Sequence, residues 1–186
     1  ELPATCAYIR QRLEEMEIPW QDCGGELPEK MTEDYLTAGF PRMERATGLT
    51  ALIGRGEPCI LLRADMDALP IREENHLPFR SSGTCSHMCG HDSHAAMLLG
   101  AARILKAHEA ELDGCVKLMF QPDEEGTAPD EICGNEAMIN AGVLEDPHVD
   151  AAAAIHLMPF DFHLGEVATR PGTGFSSIDD IDIVVH

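Results

Sequence analysis

The chain has 186 residues, of which 44% are hydrophobic, and its 13 basic and 33 acidic residues give a net charge of −20. This length is enough for one α/β domain with a full hydrophobic core. So negative a field excludes nucleic acid and anionic membrane as favourable partners. No apolar run approaches the ~20 residues of a membrane-spanning helix, and no signal peptide is visible.

Seven cysteines are scattered along the chain, an odd number with none of the regular spacing of a secreted disulfide framework. Cys6, Cys59 and Cys115 lie within apolar patterns and are predicted to be buried thiols, since free cysteine packs as a small hydrophobe. This cysteine usage predicts a cytoplasmic protein.

The predicted secondary structure alternates between helices and strands. A charged and weakly patterned segment over residues 24–48 is predicted to run over the surface. Helices are predicted over residues 4–16, 95–105 and 135–141, and strands over residues 49–53, 59–62, 115–120, 149–155, 166–169 and 178–185. The helix over 95–105 is apolar nearly all round and is predicted to be buried against a sheet, with Asp92 or Ser93 as its N-cap. The strand over 149–155 is predicted to be buried. This alternation predicts an α/β fold with a mostly parallel sheet and helices on both faces.

Polar side chains follow three of the predicted strands. After the second, third and fourth strands stand Asp65 and Asp67, Glu124 and Glu125, and His156, respectively. In open α/β sheets, ligand sites form outside the carboxyl ends of the strands, where the loops converge. We therefore expect these side chains to share one site. Taken singly, each has a structural alternative: the aspartates as caps or turn residues, the glutamates as a solvated turn, and the histidine as a hydrogen-bonded core residue.

The segment at residues 87–94 holds three histidines, one cysteine and one aspartate at the start of a predicted helix. Imidazole and thiolate bind borderline-soft divalent metals, so the segment predicts a metal site. A structural zinc knuckle or a disulfide corner is the alternative, but no second CxxC or HxxxH pattern completes a closed site. The convergence of this segment with the three strand ends favours a metal centre with a chemical role.

The pair Glu124 and Glu125 suits hydrolysis. Successive side chains that leave a strand point in different directions, so one carboxylate can bind metal while its neighbour stays free. A metal lowers the pKa of bound water from 15.7 toward ~7, and a free carboxylate can then act as general base. The arrangement predicts metal-assisted hydrolysis of an amide.

At these residues the sequence resembles a known family. Residues 63–70 (RADMDALP), 87–94 (HMCGHDSH) and 121–126 (QPDEEG), together with His156, resemble the M20 metallopeptidases, and most closely their amidohydrolase branch. That branch holds N-acyl-amino-acid amidohydrolases, hippurate hydrolases and auxin-conjugate hydrolases. The resemblance implies a zinc-peptidase-like catalytic domain that hydrolyses the amide bond of a small N-acyl amino acid.

The resemblance also implies a role for each motif residue at a centre of two divalent metal ions. It assigns metal binding to Cys89, His91, Glu125 and His156, and the general base to Glu124. Asp67 would orient a metal-binding imidazole, and Asp65 stands where peptidase branches carry a metal-binding histidine. His87 and His94 match the motif but are expected to bind no metal directly, and instead to contact a metal-binding residue or to face the substrate. Four histidines outside the motifs are predicted to lie on the surface: His76, His108, His148 and His163.

The chain departs from the family's pattern in two places. Residues 25–47 form a charged insertion where the family has a short connection. Residues 1–177 are expected to form the catalytic domain, and residues 178–186 the first strand of a lid or dimerisation domain whose remainder, with one more ligand histidine, is missing. The resemblance implies that the parent protein could be a homodimer and that this piece has impaired activity.

Two other functions stay open on the sequence. A dipeptidase or aminopeptidase of the same family would use the same metal centre on a free amine substrate. A metal-binding domain without catalysis would need no second glutamate, so the intact glutamate pair argues against it. Zinc and manganese both fit the thiolate, imidazole and carboxylate donors.

Overall fold

The computed structural model describes residues 3–25, 47–126, 134–158 and 165–173, with the single positions 29, 33, 36, 37 and 163. The helices in these segments are α1 (Pro3–Glu15), α2 (His91–Ala107) and α3 (Gly134–Asn140), with a 3-10 turn at Glu109–Glu111. The strands are β1 (Trp20–Asp22), β2 (Leu49–Arg55), β3 (Cys59–Asp65), β4 (Gly114–Gln121) and β5 (Ala151–Ala154). None of the described helices is both long and apolar enough to cross a membrane.

One five-stranded sheet carries the structure, in the order β1-β2-β4-β3-β5. Strands β4, β3 and β5 are neighbours and run parallel, whereas β2 pairs antiparallel with both β1 and β4. Four of the five strands therefore run in one direction, and β2 is the exception. The prediction of a mostly parallel sheet is confirmed. The carboxyl ends of β3, β4 and β5 lie together at one edge.

Helices cover both faces of the sheet. Because side chains alternate along β4, this strand contributes apolar side chains to both faces. Leu118 and Phe120 point into a core shared with α1 and α2. Met119, between them, points to the opposite face and packs with Met138 of α3. The predicted α/β class with helices on both faces is confirmed, as are the helix at residues 4–16 and the burial of Cys6, Cys59 and Cys115.

The edge strand β5 differs from the prediction. Residues 149–155 were expected to form a buried strand, but the strand covers only Ala151–Ala154 and all four alanines are exposed. Among the described residues β5 pairs only with β3, so it is an edge of the sheet. A run of small apolar residues predicts a strand but does not reveal what covers it.

Other parts of the secondary structure also differ from the predictions or lie outside the described residues. The predicted strand at residues 166–169 is wrong, because these residues are exposed and pair with no described strand. The short strand β1 was missed, since three residues are too few to display an alternating pattern. The surface segment over residues 24–48 lies mostly outside the described residues, and the strand at residues 178–185 lies wholly outside them.

Helix α2 begins four residues earlier than predicted. Its N-cap is Gly90 in the left-handed conformation (φ 88°), so the prediction of Asp92 or Ser93 as N-cap is wrong. Both belong to the first turn of the helix. The predicted packing of the helix against the sheet is confirmed for one face, whereas the opposite face is open to solvent and Ile104 is 66% exposed. The early start matters, since it puts His91 and His94 on the buried face of the helix.

Candidate metal centre

The carboxyl edge of the parallel strands gathers the polar side chains named by the sequence. Asp65 ends β3 and Asp67 follows it, the two glutamates follow β4, and His156 follows β5. The start of α2 brings Cys89 and His91 over this edge. Candidate ligand atoms of Cys89, His91 and His156 lie within 4.8 Å of one another, and so do those of His91, Glu124 and Glu125. The ligand atoms of Asp65, His91 and His94 form a third such group. The predicted convergence in space is thus found, with His91 common to all three groups.

Asp67 connects three parts of this site through one carboxylate. Its Oδ1 lies 2.9 Å from Nδ1 of His91, and both atoms are buried. Its Oδ2 accepts hydrogen bonds from the backbone N–H groups of Glu124 (2.9 Å) and Glu125 (3.1 Å). Since backbone N–H can only donate, the carboxylate fixes the path of the glutamate pair and holds the imidazole at the same time.

This contact also sets the tautomer of His91. Its Nδ1 donates to Asp67, so in the neutral ring Nε2 carries the lone pair. That Nε2 is buried and has no hydrogen-bond partner. Three carboxylate oxygens, which also cannot donate, lie near it: Glu124 Oε2 at 3.7 Å, Glu125 Oε1 at 3.8 Å and Asp65 Oδ2 at 3.8 Å.

A buried lone pair facing three carboxylates is unfavourable unless a cation lies between them. Direct metal–ligand bonds of about 2.0–2.3 Å would allow a single ion to contact donors separated by such distances. The orphaned Nε2 of His91 and its acceptor-only surroundings therefore fit a divalent metal.

Cys89 and His156 approach each other from opposite sides of the site. The Sγ of Cys89 lies 3.7 Å from Nε2 of His156. Nδ1 of His156 lies 2.7 Å from the carbonyl oxygen of Leu157, which can only accept. The proton is therefore on Nδ1, and the lone pair on Nε2 faces the thiol. His156 is exposed, so this second imidazole is reachable from solvent.

The thiol of Cys89 is surrounded by negative charge. Burial raises its pKa to about 11, together with a hydrogen bond to Glu125 and the charges of Glu125, Glu124 and Asp65. All of these influences oppose the thiolate. A divalent cation would reverse them, because it binds thiolate directly and neutralises the carboxylates.

The negative charge of Asp65 is stabilised by neighbouring side chains of the protein. It is fully buried, with Oδ2 2.7 Å from Nη1 of Arg63 and Oδ1 2.6 Å from Nδ1 of His94. Burial acts to raise its pKa, but the His94 hydrogen bond and the Arg63 charge outweigh it, so the pKa lies below its usual value. Arg63 is held in turn by Gln121, whose Oε1 lies 2.8 Å from Nε.

The other histidines divide into two groups. His94 is buried and uses both ring nitrogens, since Nδ1 contacts Asp65 and Nε2 accepts from the N–H of Leu157 at 2.8 Å. With both nitrogens engaged in this way, the ring has no lone pair left for a metal ion. The remaining histidines in the described part of the chain are exposed: His76, His87, His108, His148 and His163.

The pairing of Asp65 with His94 was missed from the sequence, although a signal existed. Asp65 and Asp67 are two residues apart after a strand, and His91 and His94 are three apart on one helix face. Two carboxylates and two imidazoles with these spacings can pair one to one. The structure has this arrangement.

Comparison with known proteins identifies the family of the chain. The pattern of "Peptidase family M20/M25/M40" matches residues 61–184. IAA-amino acid hydrolase ILR1-like 5 of Arabidopsis thaliana is 38% identical over 167 residues, 88% of this chain and 37% of that protein. N-acetylcysteine deacetylase of Bacillus subtilis is 42% identical over 143 residues, 75% of this chain and 35% of that protein.

A solved structure agrees with these matches. The YXEP protein of Bacillus subtilis, described as a dinuclear metal binding peptidase from the M20 family, superposes with a TM-score of 0.66 at 36% identity. The match covers 86% of this chain and 38% of that one. The chain thus spans between about a third and two fifths of the length of these relatives. Because the family pattern covers more than half of the chain, the chain belongs to peptidase family M20/M25/M40.

Proposed function

We propose that the protein hydrolyses the amide bond of small N-acyl amino acids, using two divalent metal ions held by Cys89, His91, Glu125 and His156. The observation that carries the proposal is the buried Nε2 of His91, which has no hydrogen-bond partner and faces carboxylates. The names of two relatives, an IAA-amino acid hydrolase and an N-acetylcysteine deacetylase, describe the removal of an acyl group from an amino acid.

The two glutamates would divide the work. Glu125 is hydrogen-bonded to the thiol of Cys89 and has the less exposed side chain, 25% against 38% for Glu124. Glu125 would therefore bind metal, and Glu124, which is more open to solvent, would act as general base. In this role its carboxylate accepts a proton from water and passes it to the leaving amine. Asp67 supports both by fixing their backbone N–H groups.

The bound metal would supply Lewis acidity, which makes hydroxide available near neutral pH. The thiolate and the imidazoles favour zinc, whereas the carboxylates suit manganese equally well. A reducing compartment such as the cytoplasm fits the same proposal, because Cys89 must stay a thiol to bind metal. Among the described cysteines, Cys6, Cys23, Cys59, Cys89 and Cys115 are free thiols.

The test is hydrolysis of hippurate and N-acetyl amino acids after loading with Zn²⁺ or Mn²⁺. We expect Glu124→Gln to lower kcat by about 10²–10⁴, the usual contribution of a general base, while bound metal per chain stays unchanged. Glu136→Gln, on the exposed surface of α3, is the matched control and should leave kcat unaltered. Hydrolysis at the wild-type rate by Glu124→Gln would refute the assigned base, and a metal-loaded protein inert on every acyl substrate would refute the function.

A second candidate is hydrolysis of dipeptides, because the solved relative is described as a peptidase. The same metal centre would serve, and the difference would lie in the group at the amino side of the scissile bond. Comparing kcat/KM for an N-acetyl amino acid and for a dipeptide with the same C-terminal residue separates the two. A higher value for the free dipeptide would favour the second candidate.

A further inference from the structure

We propose that His94 is a positioning residue, which holds His156 in its metal-binding orientation through the backbone of Leu157. The proposal rests on the proposed function in one respect, namely that His156 binds a metal ion. It goes further by giving a role to a buried histidine that binds no metal itself.

The hydrogen bonds of His94 determine its tautomer. The N–H of Leu157 is an obligatory donor and lies 2.8 Å from Nε2, so this nitrogen carries the lone pair. The proton is therefore on Nδ1, which donates to Oδ1 of Asp65 at 2.6 Å. Both partners of this second bond are buried, and Asp65 is in turn paired with Arg63. The ring is thus fixed at both nitrogens.

The backbone of Leu157 connects this ring to His156. The N–H of Leu157 donates to His94, while its carbonyl, in the next peptide group, accepts from Nδ1 of His156 at 2.7 Å. The second bond keeps the proton of His156 on Nδ1 and directs Nε2 to Cys89. The two rings also touch edge to face, with centroids 4.6 Å apart and an interplanar angle of 62°. Moving His94 would therefore move the donor atom of His156.

The need for such a support follows from the position of His156. Strand β5 ends at Ala154, so the ladder with β3 does not extend to His156, and the residues from Ala151 to Leu157 are exposed. The side chain of Leu157 packs against Gly90, where an added Cβ would lie 3.1 Å from its Cδ2. Gly90 thus lets the segment after β5 come close to the loop that carries Cys89, and His94 holds it there.

The experiment compares His94→Gln with His94→Asn. Glutamine puts an acceptor near the position of Nε2 and can still receive the N–H of Leu157, whereas asparagine can reach Asp65 but not Leu157. We expect His94→Asn to weaken Zn²⁺ binding by about 10–100-fold, the usual cost of losing a group that orients a ligand, and His94→Gln to recover most of it. Competition with a chromophoric chelator gives the affinities. Equal affinities for wild type and His94→Asn, or equal losses in both variants, would overturn the proposal.

A second readout needs no metal. Imidazole ¹⁵N NMR of the metal-free protein should find the proton of His156 on Nδ1 in wild type and His94→Gln, and a tautomer mixture in His94→Asn. An unchanged His156 tautomer in His94→Asn would overturn the positioning role even if Zn²⁺ does not bind. Failure of the proposed function would give a different result, namely no Zn²⁺ binding by wild type while the His156 tautomer still shifts in His94→Asn.

If His94→Asn does not fold, Leu157→Pro removes the same hydrogen bond from the other partner, because proline lacks the N–H. Leu157→Ala keeps the peptide donor and is its matched control. We expect weaker Zn²⁺ binding in Leu157→Pro than in Leu157→Ala. Equal binding by the two variants would contradict the proposal.

Discussion

Lys117 and His91 are both buried in the same small domain, yet their polar atoms have opposite surroundings. Lys117 lies on β4, and its Nζ donates to three carbonyl oxygens, those of Val143 (3.0 Å), Glu145 (2.7 Å) and Pro147 (2.9 Å). These three partners use all the N–H groups of an ammonium. His91 has one nitrogen bonded to Asp67, and the other has no hydrogen-bond partner.

The difference separates a group that holds the fold from a group suited to binding. A satisfied buried ion ties the loop after α3 to the central strand, and it has no capacity left for a ligand. An unsatisfied buried acceptor costs about 1–3 kcal/mol, so it persists where something else compensates that cost. In this domain the compensation would come from a cation at the carboxyl edge of the sheet.

The largest expected effect is on metal affinity at the unsatisfied centre. Cys89→Ser should weaken Zn²⁺ binding by more than about 10²-fold, beyond the 10–100-fold typical of groups that only orient ligands. The reason is that a hydroxyl replaces the thiolate donor next to His156. Competition titration measures the affinity. Cys85→Ser, in the same loop, is the control, and equal losses in both variants would contradict the role of Cys89.

Breaking the satisfied centre should affect stability instead. Lys117→Met leaves three carbonyl acceptors without their donor, and it should lower the free energy of unfolding by about 2–4 kcal/mol. Zn²⁺ affinity should stay at the wild-type value once the protein is folded. Denaturant unfolding gives the first quantity. If Lys117→Met lost Zn²⁺ affinity but no stability, the contrast between Lys117 as a structural group and His91 as a binding group would be contradicted.

Asp67 lies between these two kinds of group, because it holds structure and orients a binding atom. Both carboxylate oxygens of Asp67 accept hydrogen bonds, whereas asparagine has one oxygen and one NH₂ group, which cannot accept. In Asp67→Asn, His91 and the glutamate pair should therefore lose their alignment. We expect a 10–100-fold loss of Zn²⁺ affinity, measured by the same titration. Asp92→Asn, exposed in the first turn of α2, should bind Zn²⁺ as wild type does.

The smallest effect concerns a thiol of the core. Cys6 donates to the carbonyl oxygen of Thr47 at 3.1 Å, and burial raises its pKa from 9.0 to about 11. The native state therefore holds this proton more tightly than the unfolded chain does. The contribution of this proton to the free energy of unfolding is complete below pH 9 and is lost as the pH rises through 11. The loss is about 1.4 kcal/mol by pH 10.

Unfolding curves between pH 8 and 11 test this expectation for Cys6. In Cys6→Ala the free energy of unfolding should decrease less steeply with pH than in wild type. Some decrease should remain, since burial raises the pKa of Cys23 and Cys115 as well. An identical slope in wild type and Cys6→Ala would show that Cys6 contributes nothing to the alkaline loss of stability.

The residue types at the candidate site could be predicted from the sequence because their signals are local. Cys89 and His91 stand two residues apart at a helix start, and each of the other groups directly follows a strand of apolar residues. Parallel strands bring their carboxyl ends to one edge, so the meeting of these groups follows from strand order alone. The α/β class could also be predicted, because the alternation of helix and strand patterns along the chain is a local signal.

The partners within the site were decided only by the tertiary structure. His94 and Asp65 are 29 residues apart, His94 and Leu157 are 63 apart, and Cys89 and His156 are 67 apart. Lys117 looks like an exposed position in an apolar strand until the loop at residues 143–147 folds over it. The exposure of β5 and the choice of Gly90 as the cap of α2 likewise depend on what packs against them. Local chemistry thus determined which groups could bind metal, whereas contacts between distant segments determined which of those groups keep a free lone pair.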